Sequence, residues 1–392
     1  MHVTSLLQKI LSKACVIHST RLNSLVVGVE ALMKGRKLSV TGLGRSLKRG
    51  RTPKRDIARM DYLVGNESLY DERTHYYEAI RSCLLTAGVR PLIAVDGSAA
   101  TVGERYQVLR AGVIVQGRAF PIYEEIHPLK DYNKPSIHRE FLQNLMKTLP
   151  KEHRPIIISD AGFFGPWFNA VLQHGWDFVG RVRTHMGYSH DGKTWDNILH
   201  LRDEATGKPK AYGQIFLTKC HQLSCYLYLY KKKLTKNRVR KNAYGDKSSR
   251  SVSVKSAARE RDPWILVSSL DSNANDVKNI YYHRMQIEES FRDSKSTQFG
   301  FGLRYSRSTG VVRLSNLFLI AMLATFLLWL IGRALRLSGK EREFQANSVT
   351  SFNVLSIFFL GCHAFNDPRY RFTISELLQA LKLIRTEVIY GV

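Results

Sequence analysis

From Leu317 to Ile331 the chain reads LFLIAMLATFLLWLI, with no charged side chain, and Arg313 and Arg333 bracket the run. A helix that is apolar on every side must be surrounded on every side, either by the rest of a large domain or by lipid. A bilayer-spanning helix needs ~20 consecutive apolar residues, and this run is shorter. It therefore reads as a buried core helix rather than a membrane anchor. A core able to enclose it needs many other elements, and 392 residues supply them, with room for two or three domains.

What surrounds that core is strongly basic. Lys and Arg total 59 against 33 Asp and Glu, a formal charge of +26. Packing does not require this excess, and it makes the folded state repel itself. A polyanionic partner offsets the repulsion, and nucleic acid is the first candidate. The five cysteines are scattered, and only Cys220 and Cys225 are close, with no second pair to complete a zinc site. Lys9 and Lys13 interrupt the apolar residues of the N-terminal segment, so no signal peptide is read there. A cytoplasmic protein is expected.

Residues 1–85 read as a helical, basic DNA-binding domain. Leu22, Leu25, Val26, Val29 and Leu32 recur at helical spacing, then LSVTGLGRSL, a basic loop and DIARMDYLVGN suggest a helix-turn-helix-like unit. Arg51, Lys54 and Arg55 of that loop are candidate DNA contacts. From Pro91 the pattern turns to strands: PLIAVDGS, two strands joined at Gln116-Gly117, a helix from His138 to Leu149, RPIIISDAGF, a helix near Pro166–His174, and WDFVGRVR. Three strands, helix, strand, helix, strand is the order of an α/β fold with a ribonuclease-H-like mixed sheet.

The expected organisation is a first core segment over 86–183, a β-rich basic insertion over 184–275, a second core segment over 276–340, and a helical C-terminal region over 341–392. The insertion carries a dense basic run whose Lys231, Lys232, Arg238 and Arg240 are candidate DNA contacts. The C-terminal ISELLQALKLIRTEVI is amphipathic, suited either to a dimer contact or to packing on its own core.

The segment NIYYHRMQIEESFRDSKS (Asn279–Ser296) is the most informative. On one continuous helix, with Tyr281 at zero, Arg284 falls at about −60°, Glu288 at about −20° and Lys295 at about −40°. Glu289, at about +80°, and Asp293, at about +120°, lie off that stripe. Geometry therefore prefers Glu288 as the active acid. Upstream, Asp96 and Asp160 each end a short apolar run, where a carboxylate projects from a sheet edge. Two aspartates and a glutamate form a hard-oxygen set suited to Mg²⁺, and two such ions serve phosphoryl transfer. No Ser/His/Asp set, P-loop or zinc-spaced cluster competes with it.

Tyr281-x2-Arg284-x3-Glu288-x6-Lys295, with the IAVDGS, ISDAGF and RLNSLVVGVEALM blocks, resembles the bacterial insertion-sequence DDE transposases of the IS-four family, its IS-ten branch in particular. The resemblance implies a ribonuclease-H-like core interrupted by the β-rich insertion, and Asp96, Asp160 and Glu288 as ligands of two Mg²⁺ ions, with Mn²⁺ as a substitute. It implies that Tyr281, Arg284 and Lys295 hold phosphates of the cleaved strand, and that Trp264 and Met285 handle a flipped base at a DNA hairpin. Its implied partners are the terminal inverted repeats and target DNA, bound by a homodimer in a paired-end complex. Its implied reaction is cut-and-paste transposition by nicking, hairpin formation and opening, and strand transfer. The rival readings are an inactive transposase-derived DNA-binding protein, a site-specific nuclease on the same fold, and a basic membrane-associated protein.

Overall fold

The computed structural model describes residues 2–14, 17–47, 52–86, 88–100, 103, 105–183, 185–232, 262–348 and 353–391. Along the chain come α1 (His2–Ala14), α2 (Ser19–Gly35), α3 (Val40–Ser46), α4 (Pro53–Val64) and α5 (Glu67–Leu84). Then follow β1 (Leu92–Ala99), β2 (Tyr106–Val115), β3 (Arg118–Pro128), α6 (Pro135–Thr148), β4 (Ile156–Ser159), α7 (Gly165–Gln173) and β5 (Asp177–Val182). The next elements are β6 (Gly187–Ser189), β7 (Asp196–Asn197), β8 (Lys210–Leu217), β9 (Leu223–Tyr230), β10 (Trp264–Ser268) and α8 (Ala274–Tyr282). The last are α9 (Met285–Lys295), α10 (Val311–Leu337), α11 (Ile357–Asn366) and α12 (Ile374–Thr386). The chain is a mixed α/β protein. It divides into two compact units, Met1–His153 with Met285–Tyr390, and Arg154–Arg284.

The apolar run lies at the centre of the first unit. It extends past both arginines into the 27-residue α10, about 40 Å long at ~1.5 Å per residue. Between Leu317 and Ile331 no side chain is more than 8% exposed. Helices α1, α2, α4, α5, α11 and α12 and strand β3 cover it. At about 1.5–3 kcal/mol for each large apolar side chain taken out of water, this helix dominates the unit's core. The arginines that bracket the run are neutralised at its margins, Arg313 by Asp61 and Arg333 by Glu387. The amide of Asn316, fully buried, donates to the Val64 and Asn66 carbonyls. Helix α11 lies so close to α10 that their backbones touch. A Cβ at Gly332 would sit 2.0 Å from the Ile357 carbonyl oxygen, and one at Gly361 would sit 1.9 Å from that of Leu328.

The amphipathic C-terminal helix α12 packs on this same core, burying Leu377, Ala380 and Ile384. Its start carries a full capping box between Thr373 and Glu376, which satisfies two otherwise unpaired backbone donors.

Strands β1, β2 and β3 pair antiparallel in the first unit. Gly117, at φ +86°, makes the β2–β3 turn, a conformation that glycine adopts without steric cost. In the second unit β4 and β5 run parallel, and β10, β9, β8, β6 and β7 continue the sheet antiparallel beyond β5. Helix α7 covers it, with Phe168 stacked on Phe178 of β5 at 4.5 Å.

Candidate active site

Two expectations need correction. The stretch from Tyr281 to Lys295 is two helices, not one. Helix α8 ends at Tyr282 and α9 begins at Met285. At the break the N–H groups of His283 and Arg284 donate to the carbonyls three residues back, Ile280 and Tyr281, a tightened 3₁₀-like turn. The wheel that aligned four side chains thus applies only within α9, where Glu288 and Lys295 still share a face. Asp96 does not end its strand either. It lies inside β1, opposite Arg110 of β2. The apolar run stops at Asp96, but backbone pairing continues to Ala99.

In the first unit, Asp96 is half-buried and its Oδ1 accepts the Gly97 N–H at 2.8 Å. Two residues on, and so on the same face of the strand, Ser98 Oγ accepts from Lys295 Nζ at 2.5 Å. Lys295 also lies over the Phe291 ring, 4.7 Å from its centroid. Burial and the nearby Arg110 guanidinium push the Lys295 ammonium down to about 7, against the opposing pull of the Asp96 carboxylate. A phosphate arriving here would restore its full charge.

The acids of α9 have different surroundings. Glu288 is exposed. Glu289 pairs with Arg292 and lies 3.6 Å from Arg118. Asp293 is buried and accepts from Arg118 Nε at 3.1 Å. Burial pushes its carboxyl up to about 6, with Arg118 opposing. Glu289 and Asp293 both lie against Arg118 of β3, and Glu288 is the most exposed of the three acids of α9.

In the second unit, Asp160 follows directly after β4. Its Oδ1 accepts the Gly162 N–H at 2.7 Å and its Oδ2 lies 3.8 Å from Arg284 Nη1, with the side chain 38% exposed. Arg284, itself buried, is held in the interhelical turn. Tyr281 is buried edge-on against Trp264, ring centroids 4.9 Å apart. Tyr230 packs on the same indole at 5.5 Å and Tyr282 at 6.4 Å. Lys278 lies over the Tyr230 ring and Lys232 over that of Tyr282. Tyr282 is 55% exposed. An aromatic cluster flanked by ammonium groups suits a nucleobase taken out of its stack.

The structure therefore brings Asp96 near Lys295, puts Glu288 and Lys295 on one helix, sets Asp160 beside Arg284, and packs Tyr281 on Trp264. Asp96 and Glu288 belong to one unit and Asp160 to the other. Met285 opens α9 with its side chain exposed. Lys54 and Arg55 are exposed on the first turn of α4, and Lys231 and Lys232 are exposed after β9. Arg51, Arg238 and Arg240 lie outside the described residues.

Sequence reasoning missed Tyr282, because a wheel cannot say which of two adjacent tyrosines faces solvent, and Tyr230 and Lys278, which meet only once β9 pairs with β10. It also missed Arg110, for which a signal existed. A lone arginine in the apolar strand YQVLRAGVIV is a buried charge that needs a partner.

Asp96, Asp160 and Glu288 each reach solvent at least in part, and carboxylate oxygens are the donors that Mg²⁺ prefers. Their chemistry fits a hard divalent ion. Among the described residues, no three His, Cys, Asp or Glu side chains are gathered as a ready-made metal cage. A site of this kind usually keeps several waters and takes phosphate oxygens from its substrate.

Residues 88–327 match the family model described as Transposase DDE domain. No curated protein matches the chain.

Proposed function

The chain belongs to the transposase DDE domain family, and from that premise we propose that it is a cut-and-paste insertion-sequence transposase of the IS-four family, on the IS-ten branch. In this reading it binds the terminal inverted repeats of its element as a homodimer. It nicks each end, forms and reopens a hairpin, and joins the freed 3′-hydroxyl to target DNA. The protein acts in the cytoplasm at the nucleoid.

Asp96, Asp160 and Glu288 would hold two Mg²⁺ ions, for which Mn²⁺ can substitute. Bound there, such ions lower the pKa of an attacking water or 3′-hydroxyl and offset charge on the leaving 3′-oxygen. Lys295, Arg284 and Tyr281 would hold phosphates of the cleaved strand. Buried Arg284 and half-buried Lys295 favour this, since a cation poor in solvent gains most from a phosphate partner, and Tyr281 would offer its hydroxyl. Trp264, beside Tyr282, and Met285 would handle a base extruded at the hairpin, where stacking offsets the lost base-pair stack. Lys54 and Arg55, with Arg51, would contact the repeat through the N-terminal helices. Lys231, Lys232, Arg238 and Arg240 would follow the DNA backbone.

The observation that carries the reading is the seat of α9 on β1. Lys295 bonds Ser98, and the strand that carries Asp96 and the helix that carries Glu288 meet there. The test is cleavage of linear DNA bearing the element's own terminal repeats, in Mg²⁺ or Mn²⁺, by wild type, Glu288→Gln and Glu289→Gln. Hairpin-ended products that disappear only with Glu288→Gln support the reading. Metal-dependent cleavage without strand transfer would favour a nuclease on the same fold. End binding with no cleavage at all would favour an inactive DNA-binding derivative.

A further inference from the structure

Asp96, Arg110 and Glu124 form one row across three strands. Asp96 pairs with Arg110 in the β1–β2 ladder, and Arg110 pairs with Glu124 in the β2–β3 ladder. Directly opposed residues in antiparallel strands project from the same face, so the three side chains share the face on which α9 packs. Arg110 is only 1% exposed. Its guanidinium divides its donors among three partners on two elements. Nε donates to Glu124 Oε1 at 2.7 Å, Nη1 to Ser290 Oγ at 2.8 Å, and Nη2, itself 2.7 Å from the same Glu124 oxygen, to Ser294 Oγ at 3.0 Å. The Phe291 ring lies 4.4 Å from Cζ, and Tyr77 donates to the other Glu124 oxygen at 2.8 Å.

We infer that Arg110 is a positioning residue, fixing the height and rotation of the Glu288 helix on the strand that carries Asp96. The inference rests on reading Asp96 and Glu288 as active-site acids. A buried ion pair adds little net stability, since apolar replacements of equal volume often serve as well. What an arginine supplies is a rigid planar fork. Ser290 and Ser294 stand one turn apart, so both reach the fork at only one setting of the helix. A slip of one residue moves each hydroxyl ~1.5 Å along the axis and ~100° around it, and both bonds are lost. Leucine in place of Arg110 would let the helix slide, because apolar contact has no comparable direction. The Lys295–Ser98 bond is a second attachment at the end of the same helix. Together they hold Glu288 in a fixed relation to Asp96, where a displacement of ~1 Å is enough to cost ~100-fold in rate.

The decisive variant is Ser290→Ala/Ser294→Ala in the full-length protein. It removes both helix bonds and leaves the Arg110–Glu124 pair in place. Cleavage of terminal-repeat DNA is measured across a Mg²⁺ or Mn²⁺ titration, beside metal-free DNA binding and thermal unfolding. The expected result is a rate lower by ~10-fold or more and a half-maximal metal concentration several-fold higher. DNA binding stays unchanged and the protein stays fully folded at the assay temperature. Arg110→Lys, which keeps the charge but not the fork, should show the same pattern where it folds. A folded serine variant with wild-type rate and wild-type metal requirement would overturn the inference. So would a rate loss that only tracks lost folded protein. If wild type itself shows no metal-dependent cleavage, the transposase reading fails first. If wild type cleaves and the serine variant matches it, only the positioning role fails.

Discussion

Asp293→Asn is a sharp probe of the electrostatics beneath the Glu288 helix. The Asp293 carboxyl is raised from 3.8 to about 6 in the folded chain, chiefly by burial and despite the bond from Arg118. A shift of this size, about 2 units at ~1.36 kcal/mol each, amounts to ~3 kcal/mol. The sign follows from proton binding. Below pH 3.8 both the folded and the unfolded chain carry the proton, and the group adds no bias. Between there and about 6 the unfolded chain has lost its proton while the folded one keeps it, so stability falls as pH rises. Above that window the penalty is fully present and constant. Asparagine cannot ionise, so the stability of the variant minus that of wild type should grow by ~2.5 kcal/mol from pH 4 to pH 7. The bond from Arg118 is already part of this net shift and is not subtracted again. Denaturant unfolding of both proteins at half-unit pH steps gives the difference directly, and groups common to the two cancel. A difference that is flat with pH, or that shrinks between pH 4 and pH 6, would refute the reasoning.

Gly361→Ala puts a methyl group against the Leu328 carbonyl at a distance no real contact shows, so α11 must lift from α10. A loss of ~3 kcal/mol or more is expected in thermal or denaturant unfolding, at the upper end for overpacking. Tyr282→Ala should weaken binding of DNA that carries an unpaired or abasic-flanked base by ~1–3 kcal/mol, measured against fully paired DNA of the same sequence. Equal losses on both substrates would show that the exposed ring does not stack on a base. Lys54→Ala/Arg55→Ala should reduce the slope of log affinity for terminal-repeat DNA against log salt by about 2, and an unchanged slope would remove the first turn of α4 from the interface. Glu289→Gln weakens an exposed ion pair with Arg292 and a longer, 3.6 Å contact with half-buried Arg118, and its effect on stability should stay below ~1 kcal/mol.

What the sequence determined by itself is whatever depends on neighbours within a few residues. The all-round apolarity of Leu317–Ile331 required enclosure, and α10 is enclosed. Alternation and turn residues marked β2, the Gln116-Gly117 turn and β3, because strand period and turn conformation are local properties. The spacing of Glu288 and Lys295 put them on one face, because seven residues make nearly two turns wherever the helix is unbroken. Tertiary structure decided the rest. The helix breaks at His283–Arg284, where Tyr281 packs on Trp264 and Arg284 turns toward Asp160. No local period encodes those partners. Asp96 sits inside its strand because β2 continues to pair with it, and the extent of pairing belongs to two strands rather than one. The row of Asp96, Arg110 and Glu124 exists only once register is set across three strands. The burial that raises Asp293 and lowers Lys295 exists only once α9 is seated on the sheet. Composition gave the charges, but their strength depends on how much water the fold removes from around them.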